Sequence, residues 1–408
     1  MRASAYPMVD AAEAAALVLD RTPVLPSEVV PIAEAAGRVL AEDLLAPADL
    51  PPFPSSAVDG YALRSEDGGG RLRVVGESAA GRPYSDELPP GAACRILTGA
   101  VLPPGADTVV MVEDVDVEPG ADGDWVTVPE GYPVGRHFHP PGEDVQRGVL
   151  ALPQGEALGP AEIGLAASLN QPAVRVHRRP RIALLSTGDE LVQVGETPGP
   201  GQIVDSNRWA LLGALREAGA DVELLPVAPD ELDPLRALVE DALARCDVLV
   251  TSGGVSVGSH DLVKPLLERL GEVHVGRVRL KPGKPFTFAT LGEGKLAFGL
   301  PGFPVSSLVT FEVFVRPALR KLQGHRRLQR PVLPVRLGHA SRPGGDRTEY
   351  QRVTLHREGD DLVAEGTGSQ SSSRLLSLTG AHALIRIPPE AEPQPAGALV
   401  DAIVLDLP

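Results

Sequence analysis

The segment at residues 251–261, TSGGVSVGSHD, combines glycines with hydroxyl and carboxylate side chains. It follows the apolar run DVLV and precedes a predicted helix, so it lies where ligands bind in open parallel sheets. Gly253, Gly254 and Gly258 would let backbone N–H groups approach an anion, and the next helix offers its positive N-terminus. Asp261 could hold a metal ion, but an ordinary turn with an Asp N-cap explains the same residues. The segment is not a P-loop, because the G-x-x-x-x-G-K-[ST] pattern is absent.

Two further segments are predicted at the same edge of the sheet. STGDEL, residues 186–191, follows the apolar strand RIALL and places the carboxylates of Asp189 and Glu190 in a turn. Carboxylates suit Mg²⁺ alongside substrate phosphates, although a solvated acidic turn explains this segment better when it is taken alone. In VDSNR, residues 204–208, Asp205 or Ser206 could simply cap the following helix.

The lysines of the chain are few and unevenly placed. Only five of the 38 basic residues are lysines, and Lys281 and Lys284 lie together in KPGKP, with Lys264 nearby. A compact ammonium group suits a phosphate or another oxyanion, whereas a hairpin turn with exposed lysines is the alternative. We favour the first interpretation, because in a chain of net charge −16 an anion needs a local positive patch or a bound cation.

Other segments carry polar or small residues in predicted turns. GLPGFPVSS, residues 299–307, starts a long predicted helix, with Pro304 near its first position and small residues that leave room for a ligand. In the N-terminal half, Asp59 in SSAVDGYA, Thr98 in ILTGAVLPPGADTVV, and the acidic pair of GEDV at 142–145 lie in turns. Ordinary turn chemistry explains these last three equally well.

Composition excludes several classes of protein. The 408 residues are 43% hydrophobic and 23% charged, as in packed globular proteins, and the net charge of −16 argues against general affinity for nucleic acid or anionic membranes. Cys94 and Cys246 match no metal or disulfide spacing, which fits a reducing, cytoplasmic location. The N-terminus does not resemble a signal peptide, and no run reaches the roughly 18 apolar residues of a membrane span.

The elements that must position these segments follow from hydrophobic periodicity and from glycine and proline. From about residue 180, short apolar strands alternate with helices predicted at 207–219, 230–245, 261–270 and 304–322, which indicates a parallel α/β sheet. Short β segments dominate both 55–145 and 328–408. Helices are also predicted at 8–20, at 159–168 and around IAEAAGRVLAEDL, after a short strand near residue 27.

We therefore predict an α/β multidomain protein with a central parallel-sheet domain, a small inserted β domain, a helical and extended linker domain, and a C-terminal domain similar to a β-barrel. The predicted boundaries are an N-terminal helix at 1–26, the linker domain at 27–45 plus 146–178, the small β domain at 46–145, the α/β domain at 179–327 and the C-terminal β domain at 328–408.

Taken in order, the motifs resemble the molybdopterin molybdenumtransferase family, which includes MoeA-type proteins and the E domain of gephyrin. The resemblance covers nearly the whole chain and rests on PPFPSSAVDGYA, ILTGAVLPPGADTVVMVE, GEDV, LLSTGDEL, DSNR, TSGGVSVGSHD, KPGKPF, GLPGFPVSS, EYQRV and GSQSSS. It implies a molybdopterin-binding α/β domain. It also implies insertion of molybdate into adenylylated molybdopterin, with Mg²⁺-dependent release of AMP.

The family resemblance also implies roles for individual residues and an elongated homodimer with active sites shared between subunits. Asp59 would come from the partner subunit, and Thr98 would join it at the interface. The implied catalytic set is Asp59, Thr98, Asp144, Glu190, Asp230 and Asp261, with Glu190 and Asp261 as Mg²⁺ ligands. The implied substrate-binding set is Ser186, Thr187, Asp205, Asn207, Gly253, Gly254, Ser256, Gly258, Lys281, Lys284, Pro301 and Pro304.

Three positions depart from the family pattern. Val58 occupies a position where the family usually has Met, which is a conservative apolar change. Phe303 replaces the usual Asn of G-L-P-G-N-P-V, so a polar group beside the predicted site is lost. GSQSSS is also less rich in glycine than the family form.

Other functions share parts of this pattern. A molybdopterin adenylyltransferase has a similar α/β domain but usually lacks flanking domains, which argues against it here. A non-catalytic scaffold would tolerate a broken acidic set, yet the set is intact in this sequence. Tungstate differs little from molybdate in size and charge, so a paralogue that handles tungstate would share this pattern. The enzyme's expected partners are an upstream molybdopterin-adenylylating protein and recipient apo-molybdoenzymes.

Overall fold

The computed structural model describes residues 6–228, 231–254, 262–341 and 345–407. Its helices, in chain order, are α1 (Ala11–Asp20), α2 (Pro160–Ser168), α3 (Ser206–Glu217), α4 (Leu232–Leu243), α5 (Val263–Leu270), α6 (Pro304–Thr310) and α7 (Arg316–Leu322). A π-helical segment, Phe311–Val315, joins α6 to α7, so the long predicted helix is continuous but locally widened. Among the described residues, no helix is both long enough and apolar enough to cross a membrane.

The strands fall into several separate sheets. The first twelve are β1 (Ser27–Pro31), β2 (Leu44–Leu45), β3 (Ser55–Ser56), β4 (Gly60–Leu63), β5 (Arg71–Ser78), β6 (Ala92–Ile96), β7 (Thr108–Met111), β8 (Asp116–Glu118), β9 (Trp125–Thr127), β10 (Phe138–His139), β11 (Leu150–Leu152) and β12 (Ala173–His177). The remainder are β13 (Arg181–Ser186), β14 (Leu191–Val192), β15 (Ile203–Val204), β16 (Asp221–Leu224), β17 (Val248–Ser252), β18 (Gly271–Val275), β19 (Leu280–Lys281), β20 (Thr287–Leu291), β21 (Lys295–Leu300), β22 (Val332–Leu337), β23 (Thr348–Glu358), β24 (Asp361–Gly366), β25 (Ala383–Ile387) and β26 (Leu399–Val404).

The linker module brings together chain segments that are far apart in sequence. Strand β1 pairs antiparallel with β12, and β2 pairs with β11. The helix predicted around IAEAAGRVLAEDL is wrong: only Ile32–Glu34 forms a short 3₁₀ turn. Gly37 then takes a positive φ of 70°, and Val39 and Leu40 make bridges to Ala157 and Val176. Tertiary pairing therefore overrides the helix propensity of the alanines and glutamates.

The small β module, as predicted, consists of short strands separated by glycine and proline. Its six strands form one sheet in the order β7-β4-β6-β5-β9-β8. Tyr61, Leu63, Val110 and Val126 pack together in its core. The short pair β3 and β10 lies beside this sheet and supports the loop that carries Asp59.

The central α/β module has a six-stranded sheet in the order β16-β13-β17-β21-β20-β18. The first four strands are parallel, whereas β20 and β18 run antiparallel to their neighbours. The predicted parallel sheet is therefore confirmed for four strands, and the sheet continues antiparallel at this end. The physical reason is the short Gly292–Gly294 turn, which joins β20 directly to β21 and so forces a hairpin.

Helices cover both faces of this sheet, as the apolar runs predict. Along β13, Ile182 and Leu184 pack on the side of α1, α3, α6 and α7, and Ala183 and Leu185 pack on the side of α4 and α5. This alternation is the two-residue period of a strand buried on both faces.

The C-terminal β module is a closed barrel, which confirms the predicted architecture. Strands β23, β24, β22, β26 and β25 pair in that order, and β25 pairs back with β23. The two-residue strand β19, which contains Lys281 of KPGKP, pairs parallel with β23 and links the α/β module to the barrel.

Candidate functional site

Three parallel strands of the α/β module end side by side. Ser186 of β13, Ser252 of β17 and Leu300 of β21 lie in one row across the sheet. The STGDEL, TSGG and GLPGFP segments therefore begin at the same edge. This is the carboxyl end of the strands, where open α/β sheets bind ligands.

Asn207 links two of these loops. Its side-chain amide donates hydrogen bonds to Ser252 Oγ at 2.9 Å and to the Gly302 carbonyl oxygen at 2.7 Å. Asp205, two residues earlier, caps α3 by accepting a hydrogen bond from the Arg208 N–H at 3.1 Å. The DSNR motif thus starts the helix and also holds the TSGG loop against the GLPGFP loop.

The backbone at Gly253 and Gly254 leaves no room for a side chain. Both residues have positive φ, 86° and 68°. A Cβ on Gly253 would lie 2.9 Å from the Thr187 carbonyl oxygen. A Cβ on Gly254 would lie 2.8 Å from Thr187 Oγ1 and 2.6 Å from a methyl carbon of Val263. Glycine is required at both positions by conformation and by the close approach of the STGDEL loop.

This sheet edge gathers buried polar atoms that lack hydrogen-bond partners among the described residues. Thr251 pairs with Gly299, which in turn pairs with Thr287, so two of the hydroxyls share one row of the sheet. Because buried polar groups are normally satisfied, such a concentration indicates a place built for a polar ligand or water. The atoms are Ser186 Oγ, Thr187 Oγ1, Asp205 Oδ2, Thr251 Oγ1, Thr287 Oγ1 and Ser307 Oγ.

Glu190, like its neighbour Asp189, is exposed in the acidic turn at this edge. The Gly188 backbone approaches it closely, since a Cβ on Gly188 would lie 2.5 Å from Glu190 Oε2. The Glu190 carbonyl oxygen accepts a hydrogen bond from Ile203 at 2.8 Å, which fixes the backbone of the acidic turn. The described residues contain no cluster of three or more potential metal-ligating side chains. One or two carboxylates with substrate oxygens still satisfy the chemistry of Mg²⁺, so the donor set present fits that ion.

The two lysines of KPGKP have different environments. Lys281 Nζ lies 3.2 Å from Glu349 Oε2 of the barrel, and its side chain is 42% exposed. Lys284 is exposed, and its carbonyl oxygen accepts a hydrogen bond from Val278. Lys264, by contrast, is buried and donates to the Gly276 carbonyl oxygen at 3.0 Å.

The barrel reaches the GLPGFP loop through the GSQSSS segment. Pro301 is buried, Pro304 is the first residue of α6, and the Val305 N–H donates to the Ser372 carbonyl oxygen at 3.1 Å. Arg352 of EYQRV is fully buried and donates to Ser377 Oγ and to the Ser371 carbonyl oxygen, both at 3.1 Å.

Arg352 therefore positions the GSQSSS segment. Burial lowers the pKa of Arg352 to about 10, which leaves it charged at neutral pH. The sequence alone predicts no role for EYQRV or GSQSSS, because a contact between segments about twenty residues apart leaves no local sequence signal.

Asp59, Thr98 and Asp144 of the predicted catalytic set lie in or beside the small β module. Asp59 Oδ1 accepts hydrogen bonds from the backbone N–H and the hydroxyl of Thr98, both at 2.7 Å. These bonds, the backbone one first, lower the pKa of Asp59 below its ordinary value. Asp144 is exposed, and its N–H donates to the Leu50 carbonyl oxygen at 2.9 Å. Among the described residues, no hydrogen bond or ion pair joins these side chains to the sheet edge.

The structure therefore brings together one part of the predicted site. Ser186, Thr187, Glu190, Asp205, Asn207, Gly253, Gly254, Pro301 and Pro304 lie in or directly follow the elements that end at the sheet edge. Asp59 and Thr98 form a separate pair in the small β module. Asp230, Ser256, Gly258 and Asp261 lie outside the described residues.

The fold and the sheet edge define a class: a multidomain protein with a molybdopterin-binding type of α/β module. Residues 9–170 match the MoeA N-terminal region (domains I and II). Residues 183–321 match a probable molybdopterin binding domain, and residues 334–405 match the MoeA C-terminal region (domain IV). The crystal structure of the MoeA molybdopterin biosynthesis protein from Pyrococcus horikoshii superposes with a TM-score of 0.80 at 34% identity, covering 98% of this chain and 99% of that one.

Curated relatives give the same result. The chain is 39% identical to the molybdopterin molybdenumtransferase of Haemophilus influenzae over 382 residues, which are 92% of this chain and 93% of that protein. It is 37% identical to the enzyme of the same name from Nostoc, covering 94% of this chain and 90% of that one. Gephyrin from Dictyostelium discoideum is 36% identical over 99% of this chain, which spans 63% of gephyrin. The chain therefore belongs to the MoeA family and is a transferase of molybdenum cofactor biosynthesis.

Proposed function

We propose that this transferase takes adenylylated molybdopterin and molybdate, cleaves the phosphoanhydride, releases AMP and leaves molybdenum on the pterin dithiolene. The observation that carries this proposal is the sheet edge, where glycine backbone and unpartnered buried hydroxyls meet. Donor groups of this kind suit the oxygens of phosphate and molybdate. Lys281 and Lys284 supply positive charge in a chain of net charge −16.

Mg²⁺ is part of the proposal because carboxylates alone would repel these anions. Glu190 and Asp261 would hold the ion, which would neutralise charge on the substrate phosphates and on the leaving AMP. Glu190 is exposed at the sheet edge and free to turn towards a bound ion. The side chains and backbone of this chain position the substrates and keep them close, which converts a chance encounter into an oriented reaction.

Asp59 and Thr98 would complete the site from a second copy of the chain. Their side chains bond to each other and are exposed, so they form a preformed acidic group at the surface of their own module. We therefore propose a homodimer in which Asp59 of the partner subunit faces the α/β edge. A cytoplasmic location, an upstream adenylylating protein and recipient apo-molybdoenzymes complete the proposed setting.

Complementation between inactive variants tests the shared site. D59A and D261A should each release AMP at less than a tenth of the parent rate. A mixture of the two, after subunit exchange has been confirmed, should regain part of the activity, because one site of each mixed dimer keeps both residues. A mixture that exchanges subunits but stays inactive would contradict the shared site.

Mg²⁺ titration of the AMP-release reaction tests the metal assignment. E190A should need a higher Mg²⁺ concentration for half-maximal rate than the parent, because one carboxylate ligand is lost. E143A is the matched control, since Glu143 is an exposed glutamate that contacts His139 in the small β module. An unchanged Mg²⁺ requirement in E190A would remove Glu190 from the metal site.

A further inference from the structure

Phe303 is the most exposed phenylalanine of the chain. Its relative exposure is 59%, whereas Phe286, Phe298 and Phe314 lie fully buried in the core. Leaving an aromatic ring in water forgoes the favourable free energy of burying it. The ring does not stand on a loose segment, because Phe303 is the N-cap of α6 and its carbonyl oxygen accepts a hydrogen bond from Ser307 at 2.9 Å.

The surface next to Phe303 is backbone rather than side chain. Gly302 precedes it and is held by the hydrogen bond from Asn207. A Cβ placed on Gly302 would meet only the Cα of Gly253, at 4.0 Å. Gly302 and Gly253 therefore form a strip of backbone without side chains beside an exposed ring. A flat molecule that stacks on the ring would meet open space at Gly302.

Polar groups hold this strip in place. The Asn207 amide donates to the Gly302 carbonyl oxygen at 2.7 Å. Thr187 is only 6% exposed, and its carbonyl oxygen lies 2.9 Å from where a Cβ on Gly253 would stand. The exposed ring therefore stands beside a fixed polar backbone surface. Nitrogen heterocycles, which have apolar faces and polar edges, suit such a combination.

We propose that Phe303 is a substrate-binding residue that stacks on a planar bicyclic nitrogen heterocycle, either the purine or the pterin of the substrate. This inference rests on the proposed function, since adenylylated molybdopterin carries both ring systems. Stacking on an aromatic side chain needs only a π-face, which the purine and the pterin both have. Because the usual family residue at this position is Asn, the contact distinguishes this chain within its family.

Calorimetric binding measurements on the full chain test the inference with three probes. AMP carries a purine, 6-hydroxymethylpterin carries a pterin, and ribose 5-phosphate carries neither ring. F303A and F303N should lower the affinity for the probe whose ring stacks on Phe303 by about 5- to 150-fold. This is the range typical of base–aromatic stacking. F303Y should keep the parent affinity within about threefold, and ribose 5-phosphate should be unaffected by every substitution. Whether AMP or the pterin responds identifies the stacked ring.

Unchanged affinity of F303A for both AMP and the pterin would overturn the inference, as would failure of both probes to bind the unsubstituted chain. Since Phe303 is exposed, circular dichroism and thermal melting of F303A should match those of the parent. A dimer that dissociates in F303A without loss of probe binding would show instead that the Phe303 ring contacts a second copy of the chain.

AMP release in turnover is measured separately. Turnover by the parent with an unaltered KM in F303A refutes only the stacking, whereas no turnover by the parent refutes the proposed function.

Discussion

Asn207→Ala should destabilise the α/β module, because the Asn207 amide is the link between two loops of the site. The side chain is 9% exposed and donates one hydrogen bond to Ser252 Oγ and one to the Gly302 carbonyl oxygen. Ser252 is buried, so its loss of a partner costs about 1–3 kcal/mol. Gly302 is exposed, so water replaces the amide there and the net loss is about 0.5–1.5 kcal/mol. The expected decrease in the free energy of unfolding is therefore about 1.5–4.5 kcal/mol.

Urea unfolding followed by tryptophan fluorescence measures this change. The chain has two tryptophans, and Trp209 lies in α3, two residues after Asn207. In a W125F background the fluorescence reports the α/β module alone. S206A is the matched control, because Ser206 is exposed on the same helix and its substitution should change stability by less than about 0.5 kcal/mol. N207D, which keeps the size but places a carboxylate oxygen near the Gly302 carbonyl, should destabilise at least as much as N207A.

The same substitution should slow AMP release by more than tenfold, since small displacements of positioning loops strongly reduce rate. An unfolding free energy of N207A within 0.5 kcal/mol of the parent would refute the reasoning. In that case the two hydrogen bonds would not hold the loops, and the glycine strip would depend on other contacts.

Three other perturbations have defined outcomes. D247N should lower the free energy of unfolding by about 2 kcal/mol at pH 7, because Asp247 accepts two 2.6 Å bonds from Arg178. Burial raises the pKa of Asp247, but these bonds outweigh it and lower the pKa below 3.8. The stabilisation is therefore complete above about pH 4 and lost as pH falls through the lowered pKa, so acid denaturation curves of parent and variant should converge there. T98V should raise the pKa of Asp59 towards its ordinary value in an NMR titration, whereas T98S should leave it low. G254A should lose AMP release and at least about 1 kcal/mol of stability, because of its φ of 68° and the crowding around its Cβ.

Much of the α/β module follows from local patterns. The run RIALLS is apolar at successive positions, and the structure buries Ile182, Ala183, Leu184 and Leu185 on alternate faces of β13. The glycine segments after β13, β17 and β21 could be placed at one edge for the same reason. Parallel strands that alternate with helices bring their carboxyl ends to the same side.

The features that sequence patterns missed depend on long-range pairing. IAEAAGRVLAEDL has the composition of a helix, yet its backbone pairs with Ala157 and Val176, more than a hundred residues away. The stretch 285–299 is extended, but Gly292–Gly294 turns it into a hairpin, so that β20 runs opposite to β21. Arg352 becomes a positioning residue only when the barrel folds the GSQSSS segment over it.

The central claim is molybdenum insertion, and it can be tested with a single coupled reaction. The chain is incubated with adenylylated molybdopterin, molybdate and Mg²⁺, followed by an apo-molybdoenzyme, and both AMP and the reconstituted enzyme activity are measured. The account predicts that AMP and active cofactor appear in equal amounts and that both require Mg²⁺ and molybdate. AMP release without active cofactor, or neither product from the folded chain, would contradict it.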